Sequence, residues 1–324
     1  MQIDAVITYV DGNDPVHQAR MARYGDAAVF KRDDVAGRTR YANVGEIAWC
    51  VASLYRFAPF IRKIHIVTDG QTPRLEPFLQ RHFPEGGIPV EIVDHKTIFR
   101  GYEAYLPVFN SVAIESMLWR IPGLSEHFLY FNDDCLLSAP VTPADFFTPD
   151  GGVVCYASKK LAVMTDLTRV WKAWMHGGQK QVTFKGMLRN ALSVAGGGAW
   201  YLRYGHSPKA LSRSFFETFY AAHPEALVRN IRHRFRDADQ FCPEALQYIV
   251  LSRTGRCEIR PLAGKLFFFQ MKDRPGYLEQ KLRKLEGGGR NYMFCCFNSL
   301  DKLSEEELGR IAAWVSDRLS LRDP

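Results

Sequence analysis

The sequence lacks the marks of several protein classes. Its seven cysteines, Cys50, Cys135, Cys155, Cys242, Cys257, Cys295 and Cys296, form no CxxC pair. Their odd number and wide scatter argue against a zinc site or a disulfide framework, so they read as buried, reduced, apolar residues. No run reaches the roughly 18 uncharged apolar residues of a membrane-spanning helix. Met1-Gln2-Ile3-Asp4 carries no basic leader, so the expectation is a cytoplasmic protein. There is no internal repeat, no low-complexity tail and no excess of acid. Against 35 Asp plus Glu stand 42 Lys plus Arg, a formal charge of +7 that favours anionic ligands without choosing among them. No recognition helix, RNA-binding signature or zinc finger supports nucleic acid as the partner.

What is present is an α/β pattern. Four apolar runs in the first half each end in polar or acidic residues. Ala5–Val10 meets Asp11-Gly12-Asn13-Asp14-Pro15, and Lys63–Thr68 meets Asp69-Gly70-Gln71. Val90–Val93 meets Asp94, and Phe128–Phe131 meets Asn132-Asp133-Asp134. Short apolar runs bounded by turn residues predict buried strands of a mainly parallel sheet. Helical spacing over Asn43–Tyr55 and Asn110–Arg120, the latter capped by Asn110 or Ser111, predicts βαβ units with helices on both faces. The stretch 157–205 is basic and aromatic and reads as a helical, lid-like insertion. Further helices are expected over Phe215–Asn230 and Ala245–Leu251, a strand over Leu266–Phe269, and a break at Gly287-Gly288-Gly289. Ser304 and Glu307 form a capping box that opens a last helix over 304–319. The apolar residues of that helix read as a core-packing face ahead of a lipid-facing one.

In such sheets ligands bind beyond the carboxyl ends of the strands, where the acidic residues fall. Adjacent Asp133 and Asp134 can hold a divalent cation, or they can cap a solvated turn; alone, the two readings are even. Asp11-Gly12-Asn13-Asp14 and Asp69-Gly70-Gln71 are good turns, or loops hugging a nucleotide with Gly12 admitting close backbone approach. His206 suits a general base, although one loop histidine among nine is weak evidence. His233-Arg234-Phe235-Arg236 gathers guanidinium donors that match phosphate oxygens, or forms a basic solvated loop.

Four blocks of the sequence resemble the Stealth family, which includes capsule-building sugar-phosphate transferases and the animal lysosomal-enzyme N-acetylglucosamine-1-phosphotransferase. They are Asp4–Pro15; Arg56–Pro73 continuing through Leu106–Ser111 and Ile121–Ser125 to Asp134; His206-Ser207-Pro208 with His233–Arg236; and a weaker one at Phe294–Asn298. The resemblance implies a single catalytic domain over 1–324 with a glycosyltransferase-A-like Rossmann fold. It implies transfer of a hexose-1-phosphate from a nucleotide sugar, such as a UDP-sugar, to a glycan hydroxyl, with release of a nucleoside monophosphate in capsule or exopolysaccharide synthesis. Carried over by position, His206 is the base, Arg236 and Arg234 stabilise phosphate, and Asp134 with Asp133 holds Mg²⁺ or Mn²⁺. Asp11, Gly12, Asp14, Gln71, Asn110 and Asn298 fall to donor binding. A glycan or lipid-linked glycan is the implied acceptor, with peripheral contact at the inner membrane as a weaker idea. The chain departs from the family at Glu46–Leu54, where an arginine-rich stretch is usual, and at Asn298-Ser299, where Asn-Asp is usual. A conventional glycosyltransferase of the same fold, releasing a nucleoside diphosphate, is the alternative; a non-catalytic binder of acidic glycan ranks below both.

Overall fold

The computed structural model describes residues 1–32, 44–175, 182–272, 274–287 and 292–321. Its main sheet has five strands: β1 (Ile3–Thr8), β2 (Ile61–Thr68), β3 (Val90–Asp94), β4 (His127–Asn132) and β8 (Lys209–Ser212), in the order β3-β2-β1-β4-β8. The first four are parallel and β8 runs antiparallel to β4. They are the four apolar runs of the sequence, each shifted by no more than two residues at either end. Phe128, Leu129, Tyr130 and Phe131 are all buried, as expected of a central strand covered on both faces. The expected α/β fold with a mainly parallel sheet is the fold observed.

Strands β2 and β3 lie on one side of β1, and β4 and β8 on the other. The order therefore reverses between β1 and β4, whose last residues, Thr8 and Asn132, are register partners. A crevice opens at such a switch point because the following segments diverge.

Two smaller sheets complete the chain. Immediately after β4, the short strand β5 (Cys135–Leu137) pairs antiparallel with β11 (Phe294–Asn298), which is parallel to β10 (Leu266–Gln270). Strand β6 (Val153–Leu161) pairs with β7 (Trp200–Tyr204) and β9 (Cys257–Arg260). Between β6 and β7 lie helices Ala162–Met175 and Phe184–Val194, so the insertion is helical but rooted in a strand pair. The helix expected over 110–120 is shorter: one turn at Ser111–Glu115, capped by Asn110, then a 3₁₀ turn at Leu118–Arg120. The expected helix over 215–230 is broken at Pro224 into Arg213–Ala222 and Pro224–Ile231, because proline cannot continue the ladder of the preceding turn. Glu46–Phe57 and Pro243–Arg253 are helical; Asn43 and Gly288-Gly289, to which sequence expectations also extended, lie outside the described residues.

The last helix, Glu305–Leu319, has the capping box of Ser304 and Glu307 and buries Ile311, Val315 and Leu319 completely. Its apolar face is spent on the core. All seven cysteines are buried and free. No helix among the described residues is long and apolar enough to cross a membrane.

One buried charge organises the entry to β1. Asp4 is fully buried and takes both Nε and Nη2 of Arg62, at 2.9 and 2.7 Å, together with the Ser125 amide at 2.8 Å. His65 approaches the same carboxylate at 3.4 Å. Burial alone would raise the Asp4 pKa, but the bonds from His65, Arg62 and Ser125 outweigh it and hold the carboxyl well below the usual range. Removing it strands buried donors. Asp4→Ala is therefore expected to cost about 2–3 kcal/mol in urea unfolding, the half-exposed Arg62 limiting the loss. The depressed carboxylate also sets a sign. Its stabilisation is present above the unfolded pKa near 4 and drains as pH falls below it, so the wild-type advantage should shrink in acid.

Candidate functional site

The switch-point crevice holds two cavities that share a wall. The smaller, about 220 Å³, lies over the ends of β1 and β4 and is lined by Tyr9, Asp69, His95, Phe109, Asp133 and Asp134 among others. The larger, about 680 Å³, lies under the insertion, against Phe184, Tyr204, Lys209, Glu244, Phe268 and Gln270. Ser111, Asn132, His206, Arg236 and Asn298 line both. Residues separated by almost two hundred positions thus meet at one junction.

The acidic end is built by the passage from β4 into β5. Asp133 and Asp134 form that turn, and the Phe297 amide donates to the Asp134 carbonyl at 2.9 Å. Since β11 runs beside β5, Asn298 comes to the same place and its amide approaches the Asp134 carboxylate at 3.4 Å. The thiols of Cys135 and Cys296 donate to that carboxylate, also at 3.4 Å. Burial raises the Cys296 pKa well above its ordinary value, which favours the protonated thiol that donates to the Asp134 carboxylate. Burial, then Asp134 and Glu46, push the Asp133 carboxyl well up; burial, Asp134 and Asp301 raise Glu46. Asp133, Asp134 and Glu46 bring carboxyl groups near one another, and the Asp134 carboxylate lies within 4.8 Å of the sulfurs of Cys135 and Cys296, so this end of the crevice can hold a divalent cation. Glu46 was missed from sequence because it opens the helix where the chain departs from the pattern it otherwise resembles.

His206 stands between the two cavities. Its ring stacks on Phe268 at 5.0 Å, with Phe184 tilted at 6.2 Å. Lys209 is buried and donates to the carbonyls of Gly205 and Ser207, bracketing the histidine in the chain. Surrounding protein lowers the His206 pKa; Asp134 opposes this, and Lys209 and Arg236 add to it. The ring opens onto the cleft, which tempers the shift without reversing it. A neutral imidazole at physiological pH can accept a proton.

The arginine segment is held by Asn110. Its side-chain amide donates to the carbonyls of His233 and Phe235 and to Gln240, and its oxygen accepts from the Val112 amide. Asn110 touches the smaller cavity, yet its hydrogen-bonding capacity is spent on shaping the loop. That loop sends Arg236 into the junction, where Nη2 donates to Ser111 Oγ at 2.8 Å. Arg234 goes elsewhere. It lies 4.9 Å over the Tyr24 ring and donates to the carbonyls of Ala104 and Leu106, and it lines neither cavity of the crevice.

The first loop is likewise a structural clasp at the rim. Gln71 accepts from the Asp11 amide and donates to the Asp11 carbonyl and Asp14 carboxylate, each at 2.9 Å. Asp14 also caps the helix Pro15–Tyr24, and Gln18 donates to the Gly12 carbonyl. Asp11, Gly12, Asp14 and Gln71 line neither cavity. The turn that needs glycine is at Gly70, with φ +69°.

The Stealth conserved region 2 matches residues 40–155, and conserved region 1 matches residues 1–28. The chain belongs to the Stealth family. Two exopolysaccharide phosphotransferases of Streptomyces coelicolor are 36% and 34% identical to it, over 78% and 90% of this chain and 40% and 50% of theirs. A capsular polysaccharide phosphotransferase of Haemophilus influenzae is 29% identical over 90% of this chain and 77% of its own length. This Stealth chain thus spans about half the length of the Streptomyces relatives. Among solved structures, the galactosyltransferase LgtC, in complex with donor and acceptor sugar analogues, aligns with 99% of this Stealth chain and 97% of its own, at 11% identity and a TM-score of 0.48.

The crowded carboxyls give a direct test. Asp134→Ala should weaken Mn²⁺ binding, read by titration calorimetry or electron paramagnetic resonance, by roughly ten- to a hundredfold. Arg234→Ala should leave that affinity within about threefold and instead lower the melting temperature by a few degrees.

Proposed function

We propose that the protein transfers a hexose-1-phosphate from a nucleotide sugar, such as a UDP-sugar, to a hydroxyl of a growing surface polysaccharide. What carries the reading is the junction. One base and one guanidinium, His206 and Arg236, stand where a cavity with carboxylates meets a cavity with aromatic walls. The smaller cavity takes the donor, with its diphosphate towards Asp133 and Asp134. The larger takes the acceptor glycan.

In this reading His206 removes the proton of the acceptor hydroxyl as its oxygen attacks the sugar-linked phosphorus. The new O–P bond forms while the bond to the neighbouring phosphate breaks, and the nucleoside monophosphate departs. The product is a phosphodiester. Arg236 lies against the transferring group and offsets its charge, the commonest protein contribution to phosphoryl transfer. Mg²⁺ or Mn²⁺ bound by Asp134 and Asp133 would neutralise charge on the leaving phosphate. Asn298 and the two thiols keep the Asp134 carboxylate aimed, and Lys209 keeps the His206 backbone in place. A cytoplasmic enzyme beside the inner membrane would meet a lipid-linked acceptor there.

The experiment is incubation with Mg²⁺, a short glycan acceptor and a panel of nucleotide sugars, resolving the released nucleotide by mass. The expected result is monophosphate released only with acceptor, and a glycan that keeps the phosphate. Diphosphate release would overturn the reading in favour of a conventional glycosyltransferase. His206→Ala is expected to lower kcat by about 10²–10⁴-fold with the fold intact. The lowered His206 pKa means the neutral base persists below pH 6.5, so the acid limb of kcat/KM should fall below that value.

A further inference from the structure

We propose that the outward face of helix Ala162–Met175, together with the Leu161–Trp200 end of the β6–β7 pair, docks on an anionic lipid bilayer. Val163, Leu167, Trp171 and Met175 recur every fourth residue, which sets them along one side of the helix. They are 56%, 62%, 59% and 59% exposed, and Met164 beside them is 61% exposed. Leu161 and Trp200 are cross-strand partners and are also exposed, at 41% and 52%. Half of the exposed large apolar side chains among the described residues fall in this one region. An apolar surface of that extent marks a place where something binds.

Charge decides what binds. Between Ala157 and Gly205 the sequence has one acidic residue, Asp166, and that residue is paired with Arg189 of the neighbouring helix at 2.9 Å. Lys159 and Lys160 approach the foot of the helix, Arg203 lies on the facing strand, and Lys185 follows Phe184; all four are exposed. A second copy of the chain would set these cations against their own kind. A bilayer with anionic headgroups accepts both parts, the lysines at the headgroups and the apolar stripe below them, with tryptophans at the boundary. The last helix offers no such face, since Ile311, Val315 and Leu319 are buried and Leu308 and Trp314 pack against the core.

The position suits the proposed chemistry and deepens it. Helix Phe184–Val194 packs beside the docking helix, and Phe184 lines the larger cavity next to His206. Docking there brings the acceptor cavity to the membrane, where a lipid-linked glycan presents its sugar. This part rests on the reading of that cavity as the acceptor side; the docking face itself does not.

The test is flotation of the full chain with vesicles of phosphatidylcholine alone, or with about one third phosphatidylglycerol. The protein should float with the anionic vesicles only, and moderate salt should release part of it. Leu167→Glu with Trp171→Glu should lower vesicle binding at least about tenfold, and Lys159→Glu with Lys160→Glu should lower it without touching the helix. With a soluble acceptor, both variants should release nucleotide from the nucleotide-sugar donor at the wild-type rate, so failure of the membrane proposal is separable from failure of the transfer reading. Recovery of the wild type in the soluble fraction with both vesicle types would overturn the proposal. So would a dimeric mass by light scattering that Leu167→Glu with Trp171→Glu reduces to a monomer.

Discussion

The backbone bond between the Phe297 amide and the Asp134 carbonyl extends the β11–β5 pairing to the turn where the acidic residues sit. It holds β5 against β11 as the chain leaves the main sheet, and nearly everything chemical in the crevice depends on that pairing. Asn298 reaches Asp134 because β11 is in register with β5, and Cys296 reaches it for the same reason. A slip of one residue would turn these side chains to the opposite face of the strand, since alternation along a strand has period two. The aim of the carboxylate is therefore a property of sheet register more than of any local loop.

Strands β1, β2 and β4 were legible because they lie inside the sheet and read as apolar runs, and the edge strand β3, with Glu91 and Ile92 exposed, because its β-branched residues end at the turn-forming Asp94. β5 was not: three residues, Cys135-Leu136-Leu137, are too few to show a period. β6 was hidden for another reason. Its second half, Ser158 to Leu161, is exposed, so the run loses its apolar signature while the strand continues. Site residues divide in the same way. His206, Arg236, Asp133, Asp134 and Asn298 come together at the cavities, whereas Arg234, two residues from Arg236, is turned to the 104–106 carbonyls. Residue type announces a donor but not its direction. Direction was fixed here by Asn110, whose capping role the sequence did suggest and whose second task, gripping the arginine loop, depends on contacts over a hundred positions away.

The rim loop shows how a strong motif can be structural at close range. Asp11, Asp14 and Gln71 bind one another through carbonyl, amide and carboxylate groups. Their work in this conformation is to fix the turn after β1 against the turn after β2. That fixes the mouth of the smaller cavity, and Asp14 anchors the following helix at the same time.

Thr8 of β1, His206 beyond the insertion and Asn298 at the end of β11 all border the crevice. On the ribosome, then, the first two hundred residues can build the main parallel strands but not a working cleft. Contacts this distant in sequence form late and slowly. The side chains that line the crevice therefore come together only once β11 has emerged and closed against β5.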